Sequence, residues 1–325
     1  MSPSEYKQRQ LEALAAARDE TRKNLEIAFD TSKTVKRRLT ALSSLGTISD
    51  PTYAQRAIEL IDNPRASAEV RAAILDKIAV YVGHDEDLLD WSTGILAERG
   101  QPDAVREAAL RVLQINSFSS PTMLAHRPRY LSTLRGLIDD PSSSIRDSAI
   151  EHLAMNQDEY VQRRLIEGLE DPAKRITEPE KAVQLLSYDL HAEHFPVLRR
   201  LAQDPPNQKT RMEALRNLGA DAASADLLRE ALTNNSEDPE VRHLCAVALQ
   251  RIDPTGFEAE ADRIIGEDDV DPELKVALLN TKLHTPGVDQ KVVLDAIVAL
   301  NQDELSRKAG AQAANLRSIA EQKSK

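Results

Sequence analysis

Apolar residues recur along this chain at helical spacing, in blocks that resemble one another. Val241, Leu244, Cys245, Ala248, Leu249 and Ile252 fall at i, i+3, i+4, i+7, i+8 and i+11, which is one face of a helix. A basic residue follows the first apolar position of that block, and the arrangement returns elsewhere. It is found as Val70-Arg71 with Ile74, Leu75 and Ile78, and as Val105-Arg106 with Ala109, Val112 and Leu113. It also occurs as Ile145-Arg146 with Ala149, Ile150 and Leu153, and as Thr210-Arg211 with Ala214, Leu215 and Leu218. With Arg242 and weaker copies at Arg38, Lys181, Lys275 and Arg307, successive basic residues stand 30 to 40 positions apart. A second amphipathic segment lies between copies, for example Leu88, Leu89, Trp91, Ile95 and Leu96. Two helices per period, neither able to bury its stripe alone, predict an all-α solenoid of about nine stacked helix pairs.

Helix starts punctuate the period. Asp238-Pro239-Glu240 and Asp271-Pro272-Glu273 place an N-cap acceptor, a proline that loses nothing at N1, and an acid where the helix dipole favours it. Asn63-Pro64, Asp140-Pro141, Asp171-Pro172 and Asp204-Pro205 mark the same hinge with longer turns. Residues 1–34 read as a charged helix with a thin stripe at Leu11, Leu14, Leu25 and Phe29, expected to cap the solenoid of residues 35–325.

Composition narrows the function. Apolar residues make up 41% of the 325, while aromatic residues are only 3%, which suits closely packed Ala- and Leu-rich helices. A net charge of −11 disfavours general binding to nucleic acid or anionic membranes. No run approaches a membrane span, the start has no apolar leader, and Cys245 has no partner for a disulfide. A cytoplasmic protein is expected.

The pattern Asp-Pro-x-x-Val-Arg followed by spaced Ala and Leu resembles the second helix of HEAT repeats. It is closest to the short form seen in phycobilisome-lyase-type HEAT-like repeats, over residues 35 to 320. The resemblance implies an α-solenoid whose surface holds other macromolecules, and, as an alternative, a bilin lyase-like or chaperone-like accessory protein. HEAT-repeat di-iron hydroxylases depend on His-Glu pairs, and none of the seven histidines here precedes a Glu.

Candidate chemistry is sparse. Arg38, Arg71, Arg106, Arg146, Lys181, Arg211, Arg242, Lys275 and Arg307 form a ladder. The placement of Arg71, Arg106, Arg146 and Arg242 directly after an inward Val or Ile, with an Asp available at the preceding turn, favours a structural clamp to an Asp or a helix C-terminus over a phosphate track. Asp189, His191 and His194 cluster without the further ligands a metal needs. The 40-residue step from Arg106 to Arg146 carries extra residues near 117–130, where Phe118, Met123, Arg127, Arg129 and Tyr130 suggest either a binding insertion or a longer turn folded over the helix ends. The expectation is therefore a non-catalytic adaptor or scaffold for a protein partner, with no cofactor and no metal, and with Phe118, Met123, Arg127, Arg129 and Tyr130 as candidate contacts.

Overall fold

The computed structural model describes residues 3–267, 269–285 and 287–299, together with 311, 314, 315 and 318. Among these every regular element is helical, and the helices pair as the periodicity predicts, into an α-solenoid of short antiparallel pairs. Contacts divide the chain into two compact units, Met1–Asn156 and Gln157–Lys325. Arg307 lies outside the described residues.

The first unit holds α1 (Pro3–Phe29), α2 (Val35–Ser43), α3 (Pro51–Asp62), α4 (Ala68–Lys77), its short continuation α5 (Ala79–Val82), α6 (Glu86–Ala97), α7 (Asp103–Ser119), α8 (Pro121–Arg135) and α9 (Ser143–Met155). The ladder helices α2, α4, α7 and α9 pack in series, while α3, α6 and α8 pair with them from the other layer. Val70, Ile74, Val105, Ala109, Leu113, Ile145, Ala149 and Leu153 fill the seam between layers. At about 25 cal/mol per Å² of apolar surface removed from water, this burial is the main stabilising term.

Two expectations about this unit are corrected. The stripe on α1 is buried only at Leu25 and Phe29, where Ala28 joins it; Leu11 and Leu14 are each 57% exposed. Only the last two turns of α1 therefore cover the first pair, with the Phe29 ring 5.9 Å from Tyr53 and under the Arg56 guanidinium. Residues 117–130 form neither an insertion nor a long turn: Ser117–Ser119 complete α7, and Pro121–Tyr130 belong to α8. Pro121 ends the first helix by disfavouring helical backbone at Ser120, then starts the next at N1. The extra residues of the 40-residue step thus lengthen two helices, and Pro128 is accommodated inside α8.

The second unit holds α10 (Glu159–Glu170), α11 (Pro179–Leu186), α12 (Phe195–Gln203), α13 (Gln208–Leu218), α14 (Ala225–Thr233), α15 (Pro239–Ile252), α16 (Pro254–Ile265), α17 (Pro272–Leu283) and α18 (Gln290–Ala299). Short 3-10 turns precede several of them, at 172–174, 192–194 and 222–224. The Asp-Pro starts act as caps: Asp238 accepts from the Glu240 amide, and Asp271 from those of Glu273 and Leu274. Where the turn is longer the cap moves downstream, to Ser67 for α4 and Asn207 for α13. Cys245 is buried in the α15 seam, and burial pushes its thiol pKa up to about 12, away from nucleophilic chemistry. No helix among the described residues is long and apolar enough to cross a membrane.

Candidate functional site

The ladder cations point into the fold. Arg38, Arg71, Arg106 and Arg242 each donate Nε to a carbonyl ten residues earlier, at Ala28, Ile61, Leu96 and Leu232, over 2.6–3.0 Å. Arg211 does the same to Ala202 at 3.0 Å, and Lys275 reaches the Glu267 carbonyl with its ammonium. These acceptors sit at the ends of the preceding helices, whose last carbonyls have no intrahelical partner and whose dipole favours a cation. The free side of several guanidiniums then holds the next repeat. Arg106 grips both oxygens of Asp140 at 3.1 and 2.5 Å, and Arg211 those of Glu237 at 2.8 and 2.6 Å. Arg71 reaches Gln101 at 2.7 Å, and Arg146 bonds the Asp140 carbonyl at 3.0 Å. Lys181 lies half-buried at the start of α11. Cations engaged in this way are not presented to a nucleic-acid backbone.

The residues around the α7–α8 corner separate. Met123 and Tyr130 are core, and burial raises the Tyr130 hydroxyl pKa. Arg127 donates to Asn156 at 2.6 Å, and Arg129 pairs with Asp90. Asp90 also accepts from Nδ1 of the buried His126 at 2.9 Å, while His126 Nε2 meets the Thr93 hydroxyl at 2.8 Å. Burial keeps the His126 pKa low despite the Asp90 charge. Thr93 and His126 are both closed to solvent, so this Asp-His-Thr chain fastens α6 to α8 and is closed to substrate.

Of the apolar candidates only Phe118 faces solvent, at 75% exposure, with its ring 6.4 Å from that of His152. It does not stand alone. Val80, Ile115 and Met155 are also exposed, and each follows its repeat's ladder arginine, Arg71, Arg106 or Arg146, by nine positions. Asn116 ties this row together internally by donating to the Ala79 carbonyl at 2.9 Å. Three consecutive second helices thus offer one apolar row, with Phe118 a turn beyond Ile115. Parallel to it, five positions after each arginine, run Asp76, Arg111 and Glu151. Arg111 pairs with Asp76 at 2.9 and 3.1 Å. The row escaped sequence reading because a single exposed aliphatic is ordinary; its alignment appears only when the repeats are stacked.

In the second unit a cleft of about 710 Å³ opens between α10 and the turn before α12, lined by Gln162, Arg163, Ile166, His191 and His194 with three glutamates. His191 bonds Asp189 through Nε2 at 2.9 Å, and its amide donates to His194 Nδ1 at 3.3 Å, with the two rings edge-to-face. Gln162 donates to Asp189 at 3.1 Å; this bond and that from His191 hold the Asp189 pKa below its ordinary value. Burial, then the neighbouring His191, lower the pKa of His194. Among the described residues no group of three or more His, Cys, Asp or Glu side chains is arranged to hold a metal ion.

No family model matches the chain, and no curated protein is similar to it. Among solved structures it aligns with human deoxyhypusine hydroxylase in complex with glycerol. The alignment covers 87% of this chain and 98% of that one, at 18% identity and a TM-score of 0.30. This finding corrects one expectation: the chain was read as no enzyme, and the solved chain it aligns with is a hydroxylase, so that exclusion is withdrawn.

Proposed function

We propose that the chain is a HEAT-like adaptor that holds a protein partner on the second helices of its first unit. The observation that carries this reading is the exposed row Val80, Ile115 and Met155 with Phe118 beside it. Apolar side chains aligned on three adjacent helices offer a continuous strip, whereas scattered exposed aliphatics do not. Helix layers about 9–10 Å apart give a strip roughly 20 Å long, which an amphipathic helix of about 13 residues spans at 1.5 Å per residue. The flanking Asp76 and Glu151 outnumber Arg111 and favour basic residues along one edge of that helix. The alternative of a bilin-holding accessory protein is served less well. The cleft that contains His191 and His194 is rimmed by Glu159, Glu167 and Glu193 against Arg163 alone, which opposes the propionates of a bilin.

The test pairs capture from native lysate with a surface variant, Ile115→Asp with Phe118→Ser, both at exposed positions. The expected result is a stoichiometric partner whose recovery falls at least tenfold with the variant while the melting temperature stays within about 2 °C. Hydrogen exchange on the reconstituted complex should then slow at the ends of α5, α7 and α9. Unchanged recovery with the variant, or protection confined elsewhere, overturns the reading. Concentration-dependent self-association abolished by the same variant would replace the partner with a second copy of the chain.

A further inference from the structure

The helix α1 runs on beyond the pair it covers. Its last two turns pack through Leu25, Ala28 and Phe29, whereas every residue from Lys7 to Lys23 is exposed. Residues 4–29 contain neither Gly nor Pro, and the helix is unbroken from Pro3 to Phe29. Its free part carries a stripe. Lys7, Leu11, Leu14 and Arg18 fall at i, i+4, i+7 and i+11, which is one face, with both leucines 57% exposed. A helix of this length without packing is marginal in water, and its alanines and the Asp19–Arg22 pair at 3.1 Å give local support only. The stripe has the form that the apolar row of the same unit asks for. Val80, Ile115 and Met155 span two layer steps of about 9–10 Å each, with Asp76 at one end of the acidic edge and Glu151 at the other. Lys7 and Arg18 stand eleven residues apart, about 17 Å along a helix at 1.5 Å per residue, with the two leucines between them. Cations at both ends of an apolar pair thus match carboxylates at both ends of an apolar strip. Carrying Leu11 and Leu14 to the row of the same copy would break the helix.

We propose that α1 of one copy docks on a second copy of the chain, with Leu11 and Leu14 on the row of Val80, Ile115 and Met155 and with Lys7 and Arg18 against Asp76 and Glu151. This rests on the reading of that row as a docking strip and names its occupant. The contact is heterologous, because helix and row are different patches. Each pairing leaves one helix and one row open, so assembly continues until it closes on itself.

The experiment is a complementation between two full-length variants, followed by sedimentation. Leu11→Gln with Leu14→Gln keeps the row and loses the stripe, glutamine being as good a helix former as the context needs. Ile115→Asp with Phe118→Ser keeps the stripe and loses the row. Wild-type mass should rise with concentration, and each variant alone should associate at least tenfold more weakly while keeping the wild-type melting temperature. An equimolar mixture of the two should associate again and stop at one-to-one, since only one intact helix and one intact row remain. Lys7→Glu with Arg18→Glu in the row-deficient partner should weaken that mixture severalfold. A wild-type chain that is monomeric at every concentration, or a mixture that does not associate, overturns the proposal. So does association that survives the row variant, which is α1 against α1, or that survives the stripe variant, which is row against row. The docking strip is judged separately, by whether the row variant lowers partner recovery from lysate, so that reading stands or falls apart from this occupant.

Discussion

The two units use one repeat differently. In the first, Arg106 and Asp140 meet with 1% and 0% of their side chains exposed, a fully desolvated pair at the centre of the stack. In the second, the corresponding pair Arg211 and Glu237 keeps 21% and 11% exposure, and a later rung of the ladder, Lys275, is a lysine that bonds the Glu267 carbonyl. The outward face differs too. Nine positions after the ladder residue the first unit has Thr47, then Val80, Ile115 and Met155, and the second has Leu190, Ala220, Arg251 and His284. A repeat therefore fixes where a side chain points, while its surroundings set what that position is worth. The same bidentate clamp is sealed in one place and partly open to solvent in another.

The largest expected effect separates the two clamps. Arg106→Ala strands a fully buried carboxylate and a helix-end carbonyl, and should destabilise the first unit by about 3–5 kcal/mol. Arg211→Ala leaves Glu237 within reach of water and should cost the second about 1–2 kcal/mol. Urea unfolding followed by a probe in each unit measures both. Converting Arg106→Met together with Asp140→Leu should recover much of the first loss, because no charge is then left unpaired. Equal losses for the two single variants would show that burial does not distinguish the clamps.

Much of this was legible in the sequence because it is local or periodic. Asp-Pro starts announce helices through cap chemistry that needs only three or four neighbouring residues, and an arginine after a buried valine recurs often enough to define the repeat. For Arg38, Arg71, Arg106 and Arg242 the carbonyl acceptor also keeps a fixed place, ten residues before the cation. The 117–130 segment was misread because an enlarged period states how many residues are extra and not whether they loop or lengthen helices. Ser120-Pro121 held the answer, a stop for one helix and a start for the next. The apolar row was invisible for another reason. Ile115 acquires meaning only from Val80 and Met155, 35 and 40 residues away, once stacking brings them into register.

Acid sharpens the comparison over two pH ranges. His126 and His152 in the first unit and His194 and His243 in the second have pKa values lowered by burial. The unfolded chain takes up those protons first, so stability falls as pH drops below about 6.5. The clamp carboxylates act lower. Hydrogen bonds from Arg211 hold Glu237 below its ordinary value against burial; at Asp140 burial pulls upward but is outweighed by Arg106 and the Ser142 amide. Depressed carboxylates contribute stability above their unfolded pKa near 4 and lose it as pH falls through the folded value. Glu237→Gln should flatten the pH dependence of the second unit between about pH 5 and 3 and leave the first unchanged; Asp140→Asn should do the reverse. A variant that alters neither slope would show that its clamp carboxylate is not depressed in solution.

The smallest effect tests how dry the first unit is. The hydroxyls of Ser92 on α6 and Tyr130 on α8 are buried without a hydrogen-bond partner, and the ring nitrogen Nδ1 of His152 is likewise unpaired. In the second unit only an Nη of Arg242 shares that state among the described residues. An unpartnered hydroxyl contributes nothing to offset its desolvation, so Tyr130→Phe should be neutral or stabilise by up to about 1 kcal/mol. Ser92→Ala should be similarly mild, with the two effects adding in the double variant. A loss above about 1 kcal/mol for either change, with a double variant no worse than the single one, would mean that a bound water joins the two hydroxyls. The first unit would then be wetter at its centre than its sealed Arg106–Asp140 clamp implies, and the contrast with the second would narrow to the surface row alone.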